Sequence, residues 1–130
     1  MVAANADGIS LASVISDFFV RISNSVTFPM LTFLSAGIVN FFVPSGGGQW
    51  AVQGPIVMPA AQAMGIEAGR AAMGIAWGDQ WTNMIQPFWA LPALGVAGLS
   101  AKDIMGYLVI VTLFVGVIAC LGFLAWAAFF

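Results

Sequence analysis

Asn40–Pro55 reads NFFVPSGGGQWAVQGP, and it lies inside a run from Ile22 to Ile66 that has no charged residue. An uncharged run of that length implies one or two membrane segments. Its middle nevertheless holds a proline, three consecutive glycines and two glutamines. Such residues favour an interruption of the helix. Irregular backbone at membrane depth persists only where protein or a wet cavity satisfies its N–H and C=O groups. The stretch is therefore a candidate binding loop between two half-spans.

The rest of the composition agrees. The chain of 130 residues is 62% hydrophobic and 6% charged, against about a quarter charged in soluble domains. The class is an all-α membrane protein, since the interruptions are spaced for helices and not for the short alternating segments of a barrel. No basic cluster suits nucleic acid. Histidine is absent and Cys120 is the single cysteine, which leaves no intrachain disulfide and removes the commonest general base and metal ligand. Met1–Ser10 has no basic segment and does not read as a secretory signal.

Outward from the loop, Pro29 suits the first turn of a helix. Met30–Phe42 then gives a limb of roughly 20 Å, short of the roughly 30 Å of hydrocarbon. A second limb runs from Gln49 to about Met64, with Pro55 and Pro59 inside it. The expectation over 28–64 is a re-entrant hairpin, with two tilted full spans as the rival. Upstream, residues 9–24 carry apolar side chains at amphipathic spacing, with Asp17 and Arg21 four apart. They predict a helix at the membrane interface or against a neighbour, with Asp7 able to cap it.

Downstream, Gly65 closes the hairpin and Glu67–Arg70 forms a polar turn. Small residues of 71–77 suit close helix contact. Gly78–Asn83 (GDQWTN) and Gln86-Pro87 then interrupt the apolar pattern, which resumes at Phe88–Leu99. This predicts a broken helix over 67–99, opened at 78–83. After a loop at Ser100–Asp103, where Ser100 or Asp103 can cap, residues 103–130 suffice for one full span. Arg21, Arg70 and Lys102 sit in three different polar segments, so positive charge sets no orientation.

Two places carry candidate chemistry. Ser45, Gly46, Gly47 and Gly48 offer successive N–H groups at a half-helix start, a cradle suited to a carboxylate, and Gln49 can add its amide. A tight loop without a ligand is the plain alternative. Asp79 stands away from both ends of its segment, as functional intramembrane acids do. It could bind a coupling cation, carry a proton, or cap the second half-helix. Arg70 is roughly 13 Å away along a straight helix, too far to pair directly. Gln80, Thr82, Asn83 and Gln86 supply neutral hydrogen-bonding groups, for a ligand or for freed backbone. Trp50, Trp77, Trp81 and Trp89 cluster near the breaks, as interface anchors or as an apolar pocket wall. Enzyme chemistry is not expected. Ser45 has no histidine, the GxSxG elbow is missing, and the glycine loop lacks the lysine of a phosphate-binding loop.

The segments NFFVPSGGGQWAVQGPIVMPAA and GDQWTNMIQPFWALPALGVAGL, followed by DIMGY at Asp103–Tyr107, resemble the bacterial short-chain fatty acid transporters of the acetoacetate/butyrate type. More distantly, the PSGxGQ hairpin followed by a broken helix is similar to C4-dicarboxylate and related carriers of the ion-transporter superfamily. The resemblance implies a multi-pass inner-membrane secondary carrier built from two inverted repeats. It places a short-chain carboxylate substrate at Ser45–Gln49 and Asp79–Asn83, with H⁺ or Na⁺ as coupling ion. It covers only the C-terminal part of the family's pattern, so the expected partners are the missing N-terminal repeat and membrane lipid. The other expectation is a small accessory or assembly membrane protein that does not transport.

Overall fold

The computed structural model describes residues 11–129, all of whose regular elements are helices. They are α1 (Leu11–Arg21), α2 (Phe28–Asn40), α3 (Gly46–Ala63), α4 (Ala68–Asn83), α5 (Pro87–Ala97) and α6 (Ala101–Phe129). The cap expected from Asp7 falls outside the described residues. Helix α1 ends at Arg21, where the 2.8 Å Arg21–Asp17 ion pair sits, and not at Asn24. Asn24 Oδ1 instead accepts from the N–H groups of Val26 and Thr27. That side-chain bonding competes with a continued helix.

The glycines of the quoted stretch are not the turn. Phe41–Pro44 makes the turn, and Gly46–Gly48 form the first turn of α3. Ser45 holds an extended backbone and its Oγ accepts from the Gly48 N–H at 3.4 Å. A first helical turn has N–H groups without intrahelical acceptors whatever its sequence, so a serine cap allows glycine there. Pro55 and Pro59 lie within α3 without ending it. Gly65, at φ +70°, then closes the segment as the sequence implies.

The break between α4 and α5 also differs from expectation. Helix α4 continues through Gly78–Asn83, and the interruption falls at Met84–Gln86. Proline explains the position. Pro87 disfavours helical geometry at the residue before it, and Gln86 is extended at φ −84°, ψ 111°. Gly98, left-handed at φ +67°, ends α5. Ser100 then donates through both N–H and Oγ to Asp103 Oδ2, each at 2.8 Å, at the head of α6.

Helix α2 is the centre, with α4 running parallel to it at close range. The buried face of α4 is Ala71, Gly74, Ile75, Gly78 and Thr82, a helical period of one stripe. A Cβ on Gly74 would stand 3.0 Å from Thr32 Cγ2 and 3.1 Å from the Pro29 carbonyl oxygen. A Cβ on Gly78 would collide with the Phe33 carbonyl oxygen and Ala36. Small residues let the two backbones meet. Helix α3 runs back along α2, so that Val57 and Ala61 reach Phe28, Ala71 and Ile75 in the main apolar cluster. Helix α6 runs antiparallel to α4. The indole of Trp81 fills a slot between Gly37 and Gly116, and its Nε1 donates to the Thr112 carbonyl at 2.7 Å. Among the described residues, α6 is the one helix long and apolar enough to cross a membrane.

Candidate functional site

The parallel course of α2 and α4 brings the end of α2 beside the last two turns of α4. There Asn40, fully buried, directs its Nδ2 at three acceptors: Asp79 O (3.0 Å), Thr82 Oγ1 (2.9 Å) and Asn83 Oδ1 (2.9 Å). An amide nitrogen has two protons, so the three share them. Thr82 Oγ1 donates to Gly37 O at 2.9 Å. Asn83 Nδ2 donates to Asp79 Oδ2 at 3.2 Å, and Asn83 Oδ1 also accepts from Trp89 Nε1 at 3.2 Å. Gln86 Nε2 donates to Asn40 O at 3.1 Å across the helix break. Two buried oxygens, Asn40 Oδ1 and Asp79 Oδ1, have no hydrogen-bond partner.

The start of α3 meets this cluster. A Cβ at Gly46 would lie 3.8 Å from Asp79 Oδ2. The positive end of the α3 dipole therefore sits next to the one acid of the cluster. Ser45, Gly46 and Gly47 are exposed there, and Gly47 has open space where its side chain would be. The arrangement can hold an anion on the α3 N–H groups. Asp79, with its Oδ1 unpartnered, is the one group of the cluster that can take up a proton.

Of the residues singled out in the sequence, the structure brings together Ser45–Gly48, Asp79, Thr82, Asn83 and Gln86. Gln80 is exposed and outside the hydrogen-bonded set. Gln49 is placed elsewhere, fully buried one turn into α3. Its Nε2 donates to Ala36 O at 2.9 Å and Gln53 Oε1 at 2.8 Å. Gln53 Nε2 in turn donates to Ser16 Oγ (2.9 Å) and Ser35 Oγ (3.1 Å). This second network ties α1, α2 and α3 together behind the site. Asp79 caps no second half-helix, because α4 does not open at that point. Trp81 is spent on packing against α6, while Trp89 reaches the cluster through Asn83.

Sequence reading alone missed Asn40, the hub, and Gln53 with its serines. A signal existed for each. Asn40 is a lone amide at the end of an apolar helix, and Gln53 follows Gln49 by four residues, one helical turn.

The sequence model of the family described as Short chain fatty acid transporter matches residues 1–126. The chain belongs to the short-chain fatty acid transporter family. As a member of that family it is a membrane protein. It is 55% identical over 112 residues to the protein of Escherichia coli (strain K12) named "Putative short-chain fatty acid transporter", with 86% of this chain and 26% of that protein covered. The protein of the same name from Haemophilus influenzae is 53% identical over 112 residues, covering 86% and 25%. The chain thus spans about a quarter of the length of the curated relatives it matches. No solved structure matches it.

Proposed function

We propose that the chain forms one side of the substrate site of a secondary carrier for short-chain monocarboxylates. The observation that carries this reading is the meeting of the α3 start with Asp79 and Asn40. The substrate carboxylate is held on the N–H groups of Gly46 and Gly47 at the capped start of α3, with Ser45 and Gln86 at the edge. Asp79 takes the coupling proton or cation. Electrostatics support this pairing. Two like charges about 5 Å apart repel by about 3 kcal/mol at an effective dielectric of about 20. An ionised Asp79 therefore opposes a carboxylate, and a neutralised one admits it.

The re-entrant reading of α2–α3 is part of the proposal. At 1.5 Å per residue α6 is roughly 44 Å long, enough to cross, whereas α2 is roughly 20 Å. Trp81, one turn before the end of α4, meets α6 near its middle, at Thr112 and Gly116. Asp79 lies roughly 13 Å along α4 from Arg70, close to half of the roughly 30 Å hydrocarbon depth. Such a midplane site between half-helices is how carriers present dipole ends to substrate. Transport needs the groups that face this site from a complementary unit, so uptake by this chain alone is not expected.

The test is butyrate uptake by vesicles holding a full-length relative, with substitutions at the equivalents of Asp79 and Gly47. D79N keeps the shape of the carboxylate and removes its charge. It is expected to lower uptake at least tenfold and to remove its dependence on the driving cation. Gly47→Val, at an open position, is expected to lower uptake with unchanged membrane insertion. Wild-type uptake by both variants would mean that the cluster is structural and that the substrate site lies elsewhere.

A further inference from the structure

Along the α4–α6 face runs an apolar groove of about 370 Å³, bounded by Met73, Trp77, Val115, Gly122 and Trp126. Gly122 leaves open space where a side chain would stand. Beyond the Trp126 end is a polar hollow of about 340 Å³ that includes Glu67, Arg70 and Ala127. The Arg70 guanidinium joins the two, centred 5.2 Å over the Trp126 ring. Glu67 and Arg70 share the hollow without forming an ion pair, and Arg70 Nε is buried with no acceptor. Neither pocket belongs to the site around Asp79.

We infer that this face binds one zwitterionic aminophospholipid. Its phosphate sits on Arg70, its ammonium on Glu67, and one acyl chain lies in the groove. Charge selects the head group: a purely anionic head would satisfy Arg70 but be opposed by Glu67. Length selects a long chain. From Trp126 to Val115 the helix rises roughly 16 Å, about one leaflet of the roughly 30 Å hydrocarbon layer, which a short-chain acid cannot fill. Tryptophan and arginine at the Trp126 end match the head-group depth at which such side chains reside. The inference rests on membrane residence and not on the transport reading.

Native mass spectrometry of the detergent-solubilised chain, given phosphatidylethanolamine or phosphatidylglycerol of equal chain length, tests it. The expected result is one retained phosphatidylethanolamine, in preference to phosphatidylglycerol. R70Q should lower that retention about tenfold, the loss of one charge-assisted contact. E67Q should abolish the preference between the two lipids. G122L should weaken both by filling the groove, and its open position keeps the fold, which circular dichroism checks. Equal retention of the two lipids by the wild-type chain, or unchanged retention in R70Q and G122L, would overturn the assignment. So would retention by this chain but not by a full-length relative, because protein would then cover the groove.

Discussion

A methyl group at position 78 has nowhere to go. It would meet the Phe33 carbonyl oxygen and the Ala36 side chain, so α2 and α4 would have to separate. Overpacking of this kind costs about 1–3 kcal/mol. Gly78→Ala should therefore lower the thermal midpoint of the detergent-solubilised chain. Gly95→Ala is the control, because that position in α5 has nothing within 4 Å. It should be neutral or raise stability by up to about 1 kcal/mol, the helix propensity gained over glycine. Gln53 tests the second network. Gln53→Leu keeps the bulk and leaves the Gln49 amide short of an acceptor. A loss of about 1–3 kcal/mol is expected for the unsatisfied buried donor, read as a fall in the midpoint with helicity retained. The same residue scale explains why Asn40 is a better hub than any hydroxyl residue: its amide nitrogen carries two protons for the acceptors on α4, where a hydroxyl carries one.

Helix ends decide how the elements join. Ser45 starts α3, Pro87 ends the extended step before α5, and Gly65 and Gly98 turn the chain where φ is positive. A β-carbon in the left-handed region costs about 1 kcal/mol. Gly65→Ala should lower stability by that amount although its surroundings are open, since the strain is in the backbone. Faster hydrogen exchange in Gln62–Ile66 would localise the effect, as the Gly65 N–H bonds Gln62 O and the Ile66 N–H bonds Ala61 O. An unchanged midpoint would mean that the turn relaxes to another conformation.

For the whole molecule, α6 and the α2–α3 pair make different predictions about sidedness. In a Cys120→Ala background, Thr27→Cys and Glu67→Cys should react with a membrane-impermeant maleimide from one side, and Ser100→Cys from the other. Two full crossings would also return Glu67 to the side of Thr27, so the turn between α2 and α3 discriminates: reaction of Phe42→Cys, exposed in that turn, from the Ser100 side would replace the re-entrant hairpin by two full crossings. α6 exposes most of its apolar surface, Ile110, Leu113, Phe114, Val117 and Leu121 among it. That surface suits lipid or a further protein unit, in keeping with a chain that covers about a quarter of its relatives' length.

The sequence alone determined the class and the chemistry on offer. An uncharged run interrupted by PSGGGQ, a second polar interruption around Asp79 and a long apolar tail are composition and spacing, and they require helices and a polar region between them. The family resemblance rested on those same segments. Sequence alone could not assign partners to the polar groups. Gly78 reads as a helix breaker locally, yet it is the contact that keeps α4 intact against α2, because close backbone approach compensates for its poor propensity. Gln49 reads as a loop ligand, yet the serine cap draws the glycines into α3 and turns Gln49 inward. Asn40 reads as a helix end, yet parallel packing of α2 and α4 sets it against Asp79, Thr82 and Asn83. Each of these outcomes depends on a contact 13 to 45 residues away in the chain, and such contacts exist only once the helices have packed.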